Sequence, residues 1–436
     1  MKRLIEEKLL QWKNKKDKMP LLLFGARQVG KTTTVFNFGK TNYSNIVMLN
    51  FENNIPLWEV FKIDLNPNRI ILALEKIFGQ TISKETTLLF FDEVQACPQA
   101  LTSLKYFCEQ EPNYHIIAAG SLLGVNLNRE KRGRKEVVKV SFPVGKVNVM
   151  TMYPMNFEEF LMAVNPFMIN DIKECFSNNT PMLLHESALD LYRTYLFVGG
   201  MPKAVQQYID TKDFDYVRFC HNEILSMYAT DMAKYTTLTE QIKINEIYNT
   251  IPAQLAKENR KFQYKLIGSN ARAINYEIGL DWLVSSGIVL KCMKINEGKY
   301  PIAFFVNFLS YKIYMSDVGM LNTKGNALKS FILSSDYSVQ VKGAMTENYV
   351  AQEFVANNHT LYYWESNNIA EVDFVLQLKD GVVPVEVKSA TNTQSKSLKV
   401  FIEKYNPKYS IRISAKNFGF ENNIKSVPLY AVFCIK

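Results

Sequence analysis

Residues 25–32, GARQVGKT, place two glycines, a lysine and a threonine in the order G-x-x-x-x-G-K-[ST]. In such a loop the backbone N–H groups surround a phosphate, Lys31 reaches the outer phosphates and the Thr32 hydroxyl ligates Mg²⁺. The apolar run 20–24 predicts a strand before the loop, and the run 32–38 predicts a helix after it. The pattern therefore predicts a nucleotide site whose expected contacts are Gly25, Ala26, Arg27, Gln28, Val29, Gly30, Lys31, Thr32 and Thr33.

A second set of residues has the types needed for hydrolysis. The apolar run 88–91 ends in Asp92 and Glu93. Because neighbouring parallel strands present their carboxyl ends at the same edge of a sheet, both acids are expected beside the phosphate loop. Asp92 would then hold Mg²⁺, and Glu93 would orient and deprotonate the attacking water. We therefore expect ATP hydrolysis with Mg²⁺ as cofactor.

Two further runs, 45–51 and 114–119, read as strands of the same parallel sheet. Ser121 follows the second of them. It has two interpretations: a hydroxyl that senses the γ-phosphate or positions the water, and a small residue that the turn requires.

A third set of residues lies near the C-terminus. The alternating runs 370–378 and 382–390 are joined by the turn 379–381 and predict a hairpin that brings Asp373 close to Glu386 and Lys388. Asp373 and Glu386 could bind Mg²⁺ or Mn²⁺, and Lys388 could help to activate water for phosphodiester cleavage. Glu347 lies on the predicted amphipathic helix 343–358. An ordinary amphipathic strand and a charged surface that only binds are the alternatives, so cleavage stays open.

The middle of the chain supplies the elements between these sites. Residues 161–261 read as mostly helical, which predicts a lid over the nucleotide, with a break at Gly199-Gly200. Residues 262–321 follow the order helix, turn, helix and two-stranded hairpin, as in a winged helix. Two interpretations remain for this segment. It could contact nucleic-acid phosphates through Arg260, Lys261, Lys265 and Arg272, or it could only pack against the rest of the protein.

Composition narrows the class of protein. The chain has 436 residues, a formal net charge of +9 and six cysteines without a C-x-x-C pair. This length predicts several domains, the charge favours a polyanion such as DNA as a candidate partner, and the cysteines indicate neither a zinc ribbon nor a disulfide framework. No segment is apolar over the roughly 18–20 residues that span a bilayer. We expect a soluble cytoplasmic protein without a membrane partner.

Several stretches together resemble a known family: GARQVGKTT, LFFDEVQ, AAGSLLG, YPMNFEEFL, FVGGMPKAV and YMSDVGML. They are similar to predicted prokaryotic AAA-type ATPases with an uncharacterised C-terminal region. The resemblance implies an ATP-binding domain, a helical lid, a winged-helix segment and a restriction-endonuclease-like end. The third site resembles the PD-(D/E)-x-K nuclease superfamily, with Glu347 on the preceding helix, although Val372 replaces the usual proline.

The chain departs from this family at Gly145-Lys146, where members often have Gly-Arg. Lysine lacks the planar guanidinium fork, so an arginine finger is not transferred to this position. Arg129, Arg132 and Arg134 are the alternative candidates for a residue that acts on a neighbouring subunit in a homo-oligomer formed through the ATPase domain. A solvated loop is the other interpretation of this run.

The predicted fold class is α/β: a P-loop parallel sheet, a helical lid, a winged helix and a nuclease-like α/β domain. The expected domains are residues 1–160, 161–260, 261–325 and 326–436. The predicted function is ATP hydrolysis whose nucleotide state gates a DNA-directed nuclease-like domain. The alternative is a nucleotide-controlled switch or assembly factor whose nuclease-like domain binds without catalysis.

Overall fold

The computed structural model describes residues 1–53, 56–121, 142–257, 260–327, 338–366, 370–389 and 396–436. The chain divides into two compact units. The N-terminal unit contains Lys2–Tyr153 and Ser285–Gly287, and the C-terminal unit contains Pro154–Val284 and Ile288–Lys436. The candidate arginine fingers Arg129, Arg132 and Arg134 lie outside the described residues.

The N-terminal unit contains a parallel five-stranded sheet in the order β2-β3-β4-β1-β5. Its strands are β1 Leu21–Phe24, β2 Asn45–Asn50, β3 Thr87–Asp92, β4 His115–Gly120 and β5 Asn148–Thr151. Its helices are α1 Ile5–Asn14, α2 Lys31–Asn42, α3 Pro56–Lys62, α4 Pro67–Phe78 and α5 Pro98–Gln110. The predicted parallel α/β sheet is confirmed.

Burial explains why these strands are continuous apolar runs. Every residue of β3 and β4 is buried, and strands buried on both faces do not alternate between apolar and polar residues. Leu22 of β1, Val47 of β2 and Phe91 of β3 belong to one hydrophobic core. This core fixes the carboxyl ends of β1 and β3, after which the phosphate loop and the two acids follow.

The C-terminal unit combines helices with two sheets in the orders β7-β6-β8-β9 and β10-β11-β12-β14-β13. Its helices are α6 Phe157–Val164, α7 Met168–Asn178, α8 His185–Val198, α9 Pro202–Thr211, α10 Phe214–Tyr235, α11 Leu238–Leu255, α12 Ala273–Ser285, α13 Val318–Lys324, α14 Val339–Ala356 and α15 Lys396–Tyr405. Its strands are β6 Val289–Ile295, β7 Val306–Met315, β8 Tyr362–Ser366, β9 Ala370–Val372, β10 Phe374–Leu378, β11 Gly381–Val387, β12 Ser410–Ser414, β13 Gly419–Glu421 and β14 Ile424–Pro428. In the described ranges no helix has both the length and the apolar composition required to cross a bilayer.

The hairpin predicted as the wing of a winged helix is formed by β6 and β7, which pair antiparallel. Strand β6 also pairs in parallel with β8, so the hairpin belongs to one sheet with β8 and β9. A boundary between residues 325 and 326 would therefore divide the strands of one sheet between two domains. The division into four domains stays a prediction.

Helix α14 differs from the amphipathic helix predicted over residues 343–358. Its residues 344–354 are all buried, so it has no solvent-facing stripe over this length. Its polar side chains instead bind the backbone of surrounding segments. Asn348 accepts from Met315 N at 2.7 Å, and Gln352 accepts from Val318 N at 2.9 Å. The amphipathic prediction was wrong because these polar residues face partners inside the unit.

Three of the stretches that carried the family resemblance meet at Gly200, through the carboxylate of Asp317 and the backbone of Met155. Asp317 Oδ2 accepts from Gly200 N at 2.6 Å, and Asp317 Oδ1 accepts from Met320 N at 2.8 Å in the first turn of α13. Met155 N donates to Gly200 O at 2.7 Å. A Cβ atom on Gly200 would lie only 1.9 Å from Met155 O. This approach explains why the break between α8 and α9 contains glycine.

We expect Gly200→Ala to lower the free energy of unfolding by about 1–3 kcal/mol, because the added methyl group forces the two backbones apart. The measurement is equilibrium unfolding in urea. Gly268→Ala is the matched control, since a Cβ atom at Gly268 has no neighbour within 4 Å. Equal stability of the two variants would contradict the proposed close contact.

Candidate functional site

The phosphate loop connects β1 to α2, as the sequence predicts. Lys31, the first residue of α2, is buried, and its Nζ donates to the carbonyl oxygens of Gly25 and Ala26, each at 2.9 Å. Gly25 has a φ of 151°, and a Cβ atom there would lie 2.3 Å from Met152 O. The tight loop therefore requires glycine at this position and holds the ammonium group of Lys31 against its own carbonyls.

The remaining predicted loop residues differ in exposure. Val29 is buried and Gln28 and Thr33 are exposed. Arg27 forms an ion pair with Glu52 at 3.1 Å.

The structure brings Thr32 and Asp92 together. Thr32 Oγ1 lies 3.1 Å from both carboxylate oxygens of Asp92. Asn50, the last residue of β2, donates from Nδ2 to Asp92 Oδ2 at 3.2 Å. Sequence reasoning missed Asn50, although its place at the end of a neighbouring parallel strand is the same signal that identified Asp92.

Glu93 follows β3 in a left-handed backbone conformation with a φ of 50°. Gln95 Nε2 donates to Glu93 Oε2 at 2.5 Å, so an amide orients the predicted base. Ser121 lies directly after β4 and is buried. Within the described part of the chain, the Ser121 hydroxyl has no hydrogen-bond partner. Both predicted roles of Ser121 remain predictions.

Arg3 supports the loop from the N-terminal segment. It is buried, and its guanidinium donates to Val29 O and Tyr153 O, each at 2.7 Å. No motif identifies this residue, since an arginine near the N-terminus gives no signal until the fold shows which carbonyls it reaches. Arg3 is therefore a positioning residue for the loop.

The Asp92 carboxyl has a pKa raised to about 6, chiefly by burial and next by the charge of Glu93, against the opposing hydrogen bond from Thr32 and the charge of Lys31. A divalent cation would offset both causes of the raised pKa. Hydroxyl and carboxylate oxygens are the ligands that Mg²⁺ prefers. Thr32 and Asp92 therefore fit the cofactor that the sequence predicts.

We expect Mg²⁺-dependent nucleotide binding to weaken as the pH falls through about 6, because protons then compete for the Asp92 carboxylate. Below that value the apparent Mg²⁺ affinity should fall by up to about tenfold per pH unit. The apparent Mg²⁺ affinity is measured by titrating Mg²⁺ into the complex of the protein with a fluorescent ATP analogue at several pH values. The ATP phosphates also titrate near pH about 6, so Asp92→Asn is the control that retains only their contribution. The same pH slope in both proteins would refute the assignment.

Asp373, Glu386 and Lys388 also come together, as predicted. Strands β10 and β11 pair antiparallel, with Phe374 opposite Val385. Asp373 Oδ2 accepts from Val387 N at 2.7 Å, and Lys388 Nζ lies 2.6 Å from Glu386 Oε1. Burial lowers the pKa of Lys388, but the charges of Glu386 and Asp373 outweigh it and raise the pKa above its usual value. Lys388 is therefore held as a cation.

Glu347 reaches the same region from α14 but is already bound by other side chains. It is buried, and it accepts from Lys312 Nζ at 3.1 Å and from Tyr314 OH at 2.5 Å. Arg260 forms a further ion pair with the second carboxylate oxygen. Glu347 is thus neutralised by cations of the protein itself.

The network extends to Glu371, which pairs with Lys312 at 2.6 Å. Sequence reasoning missed Lys312 and Glu371. Spacing could have identified both residues. Lys312 lies two residues from Tyr314 on one face of β7, and Glu371 lies two residues from Asp373.

Arg260 and Lys261 were expected to offer positive charge to nucleic acid. The structure instead pairs Arg260 with Glu347 and Lys261 with Glu365. Both carboxylates belong to the same unit and are buried, and contact of Arg260 and Lys261 with nucleic acid stays a prediction. Lys265 and Arg272 are exposed.

Cations of the protein itself pair with the C-terminal carboxylates Glu347 and Glu386 in this arrangement. Within the described ranges no group of three or more His, Cys, Asp or Glu side chains is close enough to hold one. Glu347 faces Arg260, Lys312 and Tyr314, and Glu386 faces Lys388. The expected Mg²⁺ or Mn²⁺ site formed by Asp373 and Glu386 is not supported.

We expect Lys312→Met to lower the free energy of unfolding by about 3–5 kcal/mol, because it removes a fully buried cation from its ion pairs with Glu347 and Glu371. Adding Glu347→Gln should restore part of the loss by removing one of these charges. Urea unfolding of the single and double variants gives the coupling energy.

The control is Lys203→Met in the same unit. Lys203 pairs with Glu223 at 2.6 Å, but both side chains are exposed. Its effect should be within about 1 kcal/mol. A loss in Lys312→Met no larger than this, or no restoration in the double variant, would contradict the buried network.

Comparison with known proteins gives three matches to sequence families. Residues 17–161 match the family described as an AAA domain. Residues 189–329 and 342–432 match two families described only as domains of unknown function, DUF8612 and DUF4143. The curated proteins gave no match. The first match, together with the described loop and acids, supports an AAA-type P-loop domain over residues 17–161.

Among solved structures, the Walker-type ATPase PABY2304 of Pyrococcus abyssi matches at 15% identity and a TM-score of 0.40, over 74% of this chain and 95% of that one. The Orc1 protein of Aeropyrum pernix, solved in complex with DNA, matches at 13% identity and a TM-score of 0.28, over 74% and 90% of the two chains. A STAND protein of Pyrococcus horikoshii with a tetratricopeptide repeat sensor matches at 12% identity and a TM-score of 0.28, over 82% and 48%.

Proposed function

We propose that this protein binds and hydrolyses ATP and that its nucleotide state controls what the C-terminal unit binds. ATP binding and hydrolysis are supported by the contact between Thr32 and Asp92 beside Lys31. A hydroxyl, a carboxylate and an ammonium group at the end of one parallel sheet are the groups that P-loop ATPases use.

The proposed reaction assigns one role to each side chain. Lys31 exchanges the carbonyls of Gly25 and Ala26 for the outer phosphates of ATP. Glu93, oriented by Gln95, accepts a proton from water as the water oxygen bonds to the γ-phosphorus, and the bond from that phosphorus to the bridging oxygen breaks to give ADP and phosphate. Mg²⁺, held by Thr32 and Asp92, would neutralise phosphate charge.

For the C-terminal unit we propose DNA as the partner, supported by the net charge of +9 and by the exposed Lys265 and Arg272. Cleavage and binding alone are the two candidate outcomes. The ion pair between Arg260 and Glu347 favours binding alone, because it occupies the carboxylate that a nuclease-like site would offer to a metal ion. A nucleotide-controlled switch is therefore the function that this arrangement supports best.

The test uses the full chain with supercoiled and branched DNA, Mg²⁺ or Mn²⁺, and ATP. We expect Glu93→Gln to bind ATP but to lose at least about a hundredfold in hydrolysis, the range typical of a lost general base. The switch proposal expects DNA binding that differs between ATP and ADP, with no cleavage. Exposed Glu7→Gln and Lys399→Ala are the surface controls.

Hydrolysis that survives Glu93→Gln would contradict the first part of the proposal. DNA cleavage that Lys388→Ala abolishes and Lys399→Ala does not would replace the switch by a nucleotide-gated nuclease. DNA binding that is identical with ATP and ADP would contradict the control by nucleotide.

A further inference from the structure

The C-terminal unit contains a cavity of about 60 Å³ at the end of β11, separate from the carboxylates described above. Its polar wall consists of Tyr192, Arg193, Lys342, Thr346 and Ser389. Ser389 directly follows Lys388 in the chain. One wall of the cavity is thus adjacent in sequence to the E-x-K pair.

Two cationic side chains share this cavity. Burial, and next the positive charge of Arg193, lower the pKa of Lys342. Arg193 pairs with Asp190, whose side chain is largely exposed. Across the described residues, no carboxylate forms an ion pair with Lys342. Two neighbouring cations with so little compensating charge favour an anion between them.

The Tyr192 hydroxyl is a further donor at the cavity. Tyr192 is 4% exposed, and its ring packs against Tyr349 with centroids 4.9 Å apart. The hydroxyl lies near Thr346. It nevertheless completes no hydrogen bond of normal geometry within the described part of the chain. Its interaction with Thr346 falls short of good hydrogen-bond geometry, so a ligand that accepts the hydroxyl proton would add a well-formed hydrogen bond.

The rest of the wall is apolar and comes from Leu189, Leu196, Met345 and Leu429. It limits the size of a ligand. One water molecule needs roughly 10–15 Å³ of such space. The cavity therefore has room for a few waters or for one compact group.

We propose that this cavity binds a phosphate group, either of a nucleic acid or of a small phosphate ester. A phosphate accepts hydrogen bonds from several directions, which suits donors on Arg193, Lys342, Tyr192 and Ser389. A carboxylate is planar and uses fewer of these donors. The proposal extends the DNA-directed part of the proposed function and is independent of ATP hydrolysis.

The test is equilibrium dialysis of radiolabelled inorganic phosphate against the full chain carrying Lys31→Ala, because the ATP site would otherwise bind the same probe. We expect Lys342→Gln and Arg193→Gln to weaken phosphate binding by about tenfold or more, and Tyr192→Phe by severalfold. Lys399→Gln, on the exposed face of α15, should leave binding unchanged.

Acetate is the competitor that separates phosphate from a general anion, and it should displace the probe poorly. Oligonucleotides with and without a 5′ phosphate separate the two sources. If the phosphorylated oligonucleotide binds and Lys342→Gln abolishes this binding, the site is assigned to nucleic acid. If only inorganic phosphate binds, the site is assigned to small phosphate esters.

No phosphate binding, binding that is unchanged in both Lys342→Gln and Tyr192→Phe, or equal displacement by acetate would overturn the proposal. ATP hydrolysis is measured separately with intact Lys31. A failure here therefore leaves the ATPase proposal standing, and a failure of hydrolysis leaves this one standing.

Discussion

The C-terminal unit depends on one constraint: polar side chains on a buried helix need partners inside the protein. Helix α14 carries Glu347, Asn348, Gln352 and Glu353 at buried positions. Glu347 and Asn348 accept hydrogen bonds from residues of β7. Gln352 accepts from Val318 N at 2.9 Å, and Glu353 accepts from Phe157 N at 2.8 Å. An unpartnered buried acceptor costs about 1–3 kcal/mol, so these segments cannot pack in another register without loss. Helix α14 therefore determines how the surrounding segments pack, in addition to filling the core.

This constraint gives a physical meaning to stretches that otherwise look like family signatures. Asn156 and Glu159 of YPMNFEEFL form a capping box at the start of α6, where Glu353 also binds. Asp317 of YMSDVGML holds Gly200 of FVGGMPKAV. Burial raises the pKa of Asp317 to about 6, although three backbone N–H groups oppose the shift. These residues thus join distant segments of the unit, which is a structural role and not a chemical one.

Sequence reasoning succeeded where the chemistry is local. The phosphate loop and the E-x-K hairpin each lie within one or two neighbouring elements, so spacing alone brings their residues together. Asp92 is 60 positions from Thr32, and that contact was predicted from the shared carboxyl edge of a parallel sheet. It failed where partners are distant in the chain. Arg260 and Glu347 are 87 positions apart by their numbers, and no periodicity reports that they meet. Distance along the chain also explains the wrong prediction for α14. Polar residues on a helix were interpreted as solvent-exposed, because their buried partners lie far away in the sequence.

The two carboxylate sites differ in how their negative charge is balanced, and this decides which one is suited to a metal ion. At the ATP site Asp92 keeps a raised pKa beside Glu93, so a divalent cation relieves an electrostatic cost that the protein leaves in place. In the C-terminal unit, cations of the chain itself, including Arg260 and Lys388, already pair with the carboxylates. A metal ion there would have to displace ion pairs that are largely buried, and breaking such pairs is costly. Ion pairs within the chain therefore balance the charge of Glu347 and Glu386 in this arrangement.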